Sequence, residues 1–440
     1  MAMNELEPRL VVGKPNIMDK EGFLEDVEEI LETRIFTNMG PFSVKLEREV
    51  CSFLNVKHSI AVSNASVGLA MALRALDLEP GSEVIVPAYT FIATAHAVTE
   101  CGLKVVFCDC NPTSHLIDRS SITDKITLKT SAIVAVNLWG LACDVEDLQD
   151  LARENKLKLM FDSAHAFGAR APSGTFLGNF GDVEVFSMHA TKLFNSFEGG
   201  LITTNDDALA ESLKSFRNFG ITGQDTVSSW GSNYKLSEIH AAFALRQLDK
   251  IDKLIEIYQE NAKTYTDALK AAAIPGVRNW NEAYLTHGGC THSYVCLEIK
   301  PEFPVDRDEL INFLRSENIY TKRYFFPGLQ CCEPYASDIQ PKLPFTQRLC
   351  EEVVVLPTGT QVTKSHIQRI VRLIHTLALQ RKTESIKLHG KPIEVDCSSL
   401  TERLIYLRKM KDDSDANSAR YERDIQSIEH ELKATGERVG

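Results

Sequence analysis

At 440 residues, with 44% hydrophobic and 25% charged side chains, the chain is long enough for a sizeable core and too ordinary in composition for a disordered or collagen-like class. Its net charge of −12 argues against a non-specific nucleic-acid binder, which needs a basic face. No apolar run approaches the ~18 residues of a membrane span, Glu5 and Glu7 stand where a secretory leader would be basic and apolar, and the eleven cysteines lack C-x-x-C spacing, so they read as buried small hydrophobes of a reducing, cytoplasmic compartment and not as a metal site.

Residues 19–33 have helical spacing, with Phe23, Val27, Ile30 and Leu31 on one face, and 43–54 predicts a second helix. From 60 to about 205, β-rich runs alternate with amphipathic stretches. The runs are 60–62, 84–86, 105–107, 132–136, 157–161, 183–187 and 200–204, and helices are predicted at 66–76, 91–101 and 144–155. That alternation predicts an α/β layer with a mostly parallel sheet. One long helix is expected from Leu236 to about Leu269, then a strand at 291–299 and helices at 306–317 and 364–380, which suggests a second, smaller α/β domain. The expected division is a large domain over 1–245, a small one over 246–385, and a charged helical extension over 386–440, with helices at 399–411 and 416–435.

Four stretches carry chemistry. The run ending at Phe161 leads into Asp162-Ser163-Ala164-His165, and in open α/β sheets ligands sit beyond the carboxyl ends of strands. By itself, an Asp in that place is more often a turn or cap residue. The run 183–187 leads into Ser187-Met188-His189-Ala190-Thr191-Lys192, then Glu198-Gly199-Gly200. Lys192 is flanked by Phe186, Met188, Leu193, Phe194 and Phe197, a setting that desolvates an amine, and a desolvated lysine forms Schiff bases. Ser63-Asn64-Ala65-Ser66 puts small residues at a helix N-terminus, where backbone N–H groups meet an anion. Its plainer reading is an ordinary N-cap on Ser63 and Ser66. Finally, Phe91 follows a strand just before a helix, where it is either core or a stacking face.

An anion nest, an aromatic, a carboxylate and a lysine in chain order on one α/β layer are what pyridoxal phosphate requires. With Asn233-Tyr234-Lys235-Leu236-Ser237-Glu238 added, the chain over about residues 10–380 resembles the DegT/DnrJ/EryC1/StrS sugar aminotransferases, which have the type-I fold of pyridoxal-phosphate enzymes. Gly13-Lys14-Pro15-Asn16, Leu138-Trp139-Gly140, Phe216-Arg217-Asn218-Phe219-Gly220-Ile221 and Tyr324-Phe325-Phe326-Pro327-Gly328 point to its branch acting at C-4 of nucleotide-linked 4-keto-6-deoxyglucose. The resemblance implies that Lys192 is the Schiff-base lysine, Asp162 the partner of the pyridinium, and His165 a neighbour of the phenolic oxygen. It implies that Ser187, Ala65 and Ser66 hold the phosphate and that Phe91 stacks on the ring. Asn233 would reach the partner subunit's cofactor in a homodimer with shared sites, while Lys235, Tyr324 and Phe325 face the sugar nucleotide. L-glutamate is the implied amino donor. Ala65 replaces a common Gly, Lys235 a common Arg and Gln330 a common His, which touches the nucleotide-sugar contacts and not the cofactor chemistry. Amination at C-3, and a non-catalytic scaffold that keeps the fold, stay open as alternatives.

Overall fold

The seven long β-rich runs form one sheet because nearly every residue in them is apolar or small enough to be covered on both faces. The structure, a computed structural model, describes residues 9–336 and 341–388, with side-chain burial through residue 381. In chain order the elements are β1 (Leu10–Val11), α1 (Lys20–Thr33), α2 (Pro41–Leu54), β2 (His58–Val62), α3 (Ala65–Ala75), β3 (Glu83–Pro87), α4 (Ile92–Glu100), β4 (Lys104–Cys108), α5 (Arg119–Thr123), β5 (Thr130–Val136), α6 (Val145–Glu154), β6 (Lys158–Asp162), β7 (Val183–Ser187) and β8 (Gly200–Thr204). There follow α7 (Asp207–Arg217), β9 (Ile221–Gly223), β10 (Thr226–Val227), α8 (Glu238–Leu248), α9 (Ile251–Ala272), β11 (Val277–Asn279), β12 (Val295–Ile299), α10 (Arg307–Ser316), β13 (Ile319–Tyr320), α11 (Pro344–Glu352), β14 (Val353–Leu356) and α12 (Lys364–Leu388).

The large sheet has the order β2-β8-β7-β6-β5-β3-β4. Its strands from β4 across to β7 are parallel, and β8 runs against both neighbours. The carboxyl ends of β2, β6 and β7 therefore share one edge with the start of β8. Register makes this specific: Gly200 stands between Val62 and Ser187, and Asp162 lies opposite Val185. Gly200 is required there, since a Cβ would come within 2.8 Å of the Ala65 nitrogen. A smaller antiparallel sheet, β11-β12-β14, has its own apolar core with Leu297, Val354, Ile370 and Ile374. The N-terminal Leu10 joins that core by pairing with Ile319. Residues 9–379 form one compact unit.

Three expectations are corrected. The helix expected from 236 to 269 is two helices, because Lys250 leaves the helical region (φ −119°, ψ 17°) between α8 and α9. On α1 the buried face is Gly22, Asp26 and Ile30, while Leu31 is 60% exposed. The cause is polar: Asp26 accepts two bonds from Arg246 of α8 at 2.7 and 2.6 Å, and Gly22 leaves room for that guanidinium. The cap of α3 is Asn64, not Ser63 or Ser66, with its side chain accepting from the Val67 N–H at 3.0 Å. The stretches 399–411 and 416–435 lie outside the described residues.

Candidate active site

Asp162 ends β6 almost wholly buried, and two donors aim its carboxylate. Thr94 Oγ1 donates to Oδ2 at 2.8 Å and the Ala164 N–H to Oδ1 at 3.1 Å. Burial pushes this carboxyl above its usual range, against the pull of those two bonds and of the Lys192 charge. A buried carboxylate so placed is best satisfied by a cation. Lys192 lies in the loop between β7 and β8, which folds back on itself through Ala190 N–H to Phe197 O at 2.7 Å and Ser196 N–H to Met188 O at 2.8 Å. Its amine stands 3.4 Å from the Tyr294 hydroxyl. Burial lowers it to about 8, the Asp162 charge acting the other way.

His165 is packed among aromatics, 4.5 Å from the Tyr294 ring and 5.6 Å from Trp139 between centroids. Burial, with the Lys192 charge, holds it well below the usual histidine range, so its ring is neutral. Its Nδ1 is buried and has no hydrogen-bond partner among the described residues. A buried orphan of this kind calls for a polar group not contributed by the chain's own fold. Tyr324 and Phe325 complete the wall: Phe325 stacks on Trp139 at 5.5 Å and 12°, and the Tyr324 carbonyl accepts from the Tyr89 hydroxyl at 2.7 Å.

The start of α3 lies at the same edge of the sheet. Asn64 takes the N–H of Val67 with its side chain and that of Gly68 with its carbonyl. The Ala65 and Ser66 amides belong to the first turn of α3 and so have no intrahelical partners. Ser187, at the adjacent strand end, adds a hydroxyl. Segment 233–235 runs along the end of β2, with Lys235 opposite Val62 and the Ser63 N–H donating to Tyr234 O at 2.8 Å. Lys235 Nζ bonds Asn218 Oδ1 at 3.0 Å and lies 4.9 Å from the Phe219 ring centre.

The fold thus brings Lys192, Asp162, His165, Ser187, Ala65, Ser66, Tyr324 and Phe325 to one edge of the sheet. Phe91 is the N-cap of α4 and 56% exposed as a residue, tied to the site because its carbonyl accepts from the Thr94 N–H at 3.2 Å. Asn233 is exposed. It does not cap a helix, since Ser237 occupies that place for α8. No contact among the described residues joins it to Lys192 or Asp162 of its own chain. Reading the sequence left Tyr294, Thr94 and Asn64 without roles. Thr94 was within reach of inspection, being i+3 from Phe91 at the start of the same helix, whereas Tyr294 is brought in only by the second sheet.

A family model described as the DegT/DnrJ/EryC1/StrS aminotransferase family matches residues 17–375. The dTDP-4-amino-4,6-dideoxy-D-glucose transaminase of Shigella dysenteriae is 33% identical over 382 residues, 84% of this chain and 100% of that protein. The GDP-perosamine synthase of Vibrio cholerae is 32% identical over 309 residues, 69% of this chain and 81% of that one. Among solved structures, DesI in the presence of its TDP-sugar product superposes with a TM-score of 0.80 at 35% identity, over 88% of this chain and 97% of that one.

Proposed function

Because the chain belongs to the DegT/DnrJ/EryC1/StrS aminotransferase family, we propose that it converts a dTDP-linked 4-keto-6-deoxy sugar to the 4-amino-4,6-dideoxy sugar, using pyridoxal phosphate and L-glutamate. The observation that carries this reading is Lys192, an amine lowered to about 8 by burial at the mouth of the strand that adjoins Asp162. The residues present fit the cofactor. The free amides of Ala65 and Ser66 with the Ser187 hydroxyl suit its phosphate, the Asp162 carboxylate suits a protonated ring nitrogen, and the orphaned His165 Nδ1 suits a ring substituent. The exposed face of Phe91 is available to stack on it.

When bound, pyridoxal phosphate supplies an electron-accepting ring for the carbanion left by loss of a Cα proton. The chain's own residues do the rest. With the cofactor bound, Lys192 Nζ, neutral above about pH 8, would be the amine that holds its aldehyde carbon and the base that moves a proton between Cα of the amino donor and C4′ of the cofactor. Asp162, fixed by Thr94 and Ala164, holds a proton on the ring nitrogen. The wall of Trp139, Tyr294, Tyr324 and Phe325 excludes water from the reacting carbon, and Lys235 offers a cation to the sugar diphosphate. Leu24, Leu31, Phe36 and Val44, on or beside α1 and α2, are each at least half exposed, apolar side chains that a second subunit would cover. That supports a homodimer in which Asn233 reaches the partner's phosphate.

The test is to incubate the protein with pyridoxal phosphate, glutamate and a panel of dTDP-linked and GDP-linked 4-keto and 3-keto sugars, and to weigh the products. The expected result is a 4-amino sugar from the dTDP-linked 4-keto compound. A GDP-linked 4-keto sugar is the second reading, because the Vibrio cholerae relative is a GDP-perosamine synthase. Amination at C-3 alone, or none at all, overturns the proposal.

A further inference from the structure

The stretch Gly13-Lys14-Pro15-Asn16 has no part in the reaction just described, yet it is folded against the lysine loop. Asn16 is completely buried. Its carboxamide fills all its hydrogen-bonding positions. Nδ2 donates to the Leu193 carbonyl at 3.1 Å and to the Tyr258 hydroxyl at 2.9 Å. Oδ1 accepts from the Thr360 N–H at 3.2 Å and the Thr360 hydroxyl at 3.1 Å. The backbone carbonyl of Asn16 takes two more donors, Asn195 Nδ2 at 3.3 Å and Gln247 Nε2 at 3.0 Å. Three residues upstream, Gly13 has φ +76°, and a Cβ there would lie 2.8 Å from the Thr191 Cβ. The arm therefore touches residues 191, 193 and 195, bracketing Lys192 on both sides. Its other partners, Gln247 and Tyr258, stand on α8 and α9, so the loop is tied to two helices through one side chain and one peptide.

We infer that Asn16 is a positioning residue for Lys192: by clamping the Leu193–Phe194 peptide, one residue beyond the lysine, it sets how deeply the amine is held in the site. The inference rests on Lys192 being the cofactor lysine for its catalytic meaning, but not for its test. Leu193 O is a neutral acceptor that only a donor can satisfy, and the neighbouring Thr360 requires an acceptor. Asn supplies both at that spacing, whereas Asp supplies two acceptors and Ser is too short to reach. Without the clamp the loop gains freedom and the amine gains water, which moves a desolvated lysine back toward its ordinary value.

The experiment is competitive labelling of Lys192 in the full-length chain, freed of carbonyl ligands, with an amine-selective acylating reagent across a pH series, read by peptide mass. In the wild type the midpoint is expected near 8. Asn16→Asp and Asn16→Ser should each raise it by about one unit, toward the ~10.4 of a free lysine, and weaken pyridoxal phosphate binding about tenfold. Thr360→Val removes a hydroxyl on the far side of the carboxamide and keeps the bond to Leu193. It should lower the melting temperature yet leave the midpoint unchanged. If both Asn16 variants lose melting temperature while the midpoint stays within a few tenths of wild type, Asn16 serves the fold alone and the inference is wrong. It is equally wrong if Thr360→Val moves the midpoint as far as they do. Borohydride trapping of pyridoxal phosphate on wild-type protein separates the two ideas. Capture on a different lysine refutes the cofactor assignment, while the labelling result still decides whether Asn16 governs the Lys192 amine.

Discussion

A lysine whose amine is lowered to about 8 is a stability cost as well as a reagent. The folded state disfavours its proton, so below pH 8 the chain must hold a charge it resists, and the cost fades as pH rises from about 8 toward the unfolded value near ~10.4. Lys192→Met should therefore raise the melting temperature at pH 7, by the equivalent of about 1–2 kcal/mol for a part-buried amine, and abolish covalent capture of pyridoxal phosphate. The gain should shrink between pH 8 and 10, which thermal melts across that range would detect. Glu298 gives the opposite case. Its carboxylate is buried, meets Arg278 and Lys300, and accepts from His115 Nε2 at 3.0 Å. His115 can donate there because its Nδ1 accepts the Trp139 indole N–H at 3.2 Å. Burial alone would raise Glu298, but these partners hold it at about 2 against an ordinary 4.5. A carboxyl lowered in the folded state contributes stability above its unfolded value and loses it as pH falls toward its folded value. Acid melts between pH 5 and 2 should thus be flatter for Glu298→Gln than for wild type; parallel curves would refute the assignment.

Helix termini in this chain serve either folding or ligand, and the two uses can be told apart. Asn64 caps α3 and Asp206 caps α7, each through one side-chain oxygen, at 3.0 Å to the Val67 N–H and 2.9 Å to the Leu209 N–H. Removing either cap should cost about 1 kcal/mol. Only α3 opens on the nest beside Ser187, so Asn64→Ala should also weaken pyridoxal phosphate binding severalfold while Asp206→Ala leaves it unchanged. Equal dissociation constants in the two variants would mean that the first turn of α3 is not the phosphate site. Two further helices are capped from far away. The Glu238 carboxylate receives the Phe42 N–H at 2.7 Å at the start of α2, and Asp109 receives the Thr346 N–H at 2.7 Å at the start of α11. Neither is legible locally, because the sequence at Gly40-Pro41 or Leu343-Pro344 offers no capping side chain.

For the molecule as a whole, the open matter is whether a site is complete within one chain. Asn233 is exposed, caps nothing and meets neither Lys192 nor Asp162 of its own subunit among the described residues. If two copies share their sites, a Lys192→Ala subunit still offers its Asn233 and an Asn233→Ala subunit still offers its Lys192. Co-refolding equal amounts should recover about a quarter of wild-type activity, since half the dimers are mixed and each has one working site of two. The comparison needs an Asn233→Ala homodimer that is itself impaired. No gain over the average of the two parents would place Asn233 in the service of its own chain.

Periodicity alone determined the α/β layer, its seven strands and most of its helices, because strands covered on both faces must be written as continuous apolar runs. The small residues at 63–66, Phe91, Asp162 and Lys192, each at or just beyond a strand end, were together enough to suggest the chemistry. Tertiary structure decided what distance along the chain conceals. The break between α8 and α9 has no Gly or Pro to mark it, and the buried face of α1 follows an Asp26–Arg246 pair rather than its apolar spacing. Tyr294 reaches the lysine from 102 residues away, and Asn16 reaches its neighbour Leu193 from 177. No local pattern records such contacts, because a side chain's partner across the core is chosen by the packing of whole elements and not by its neighbours in sequence.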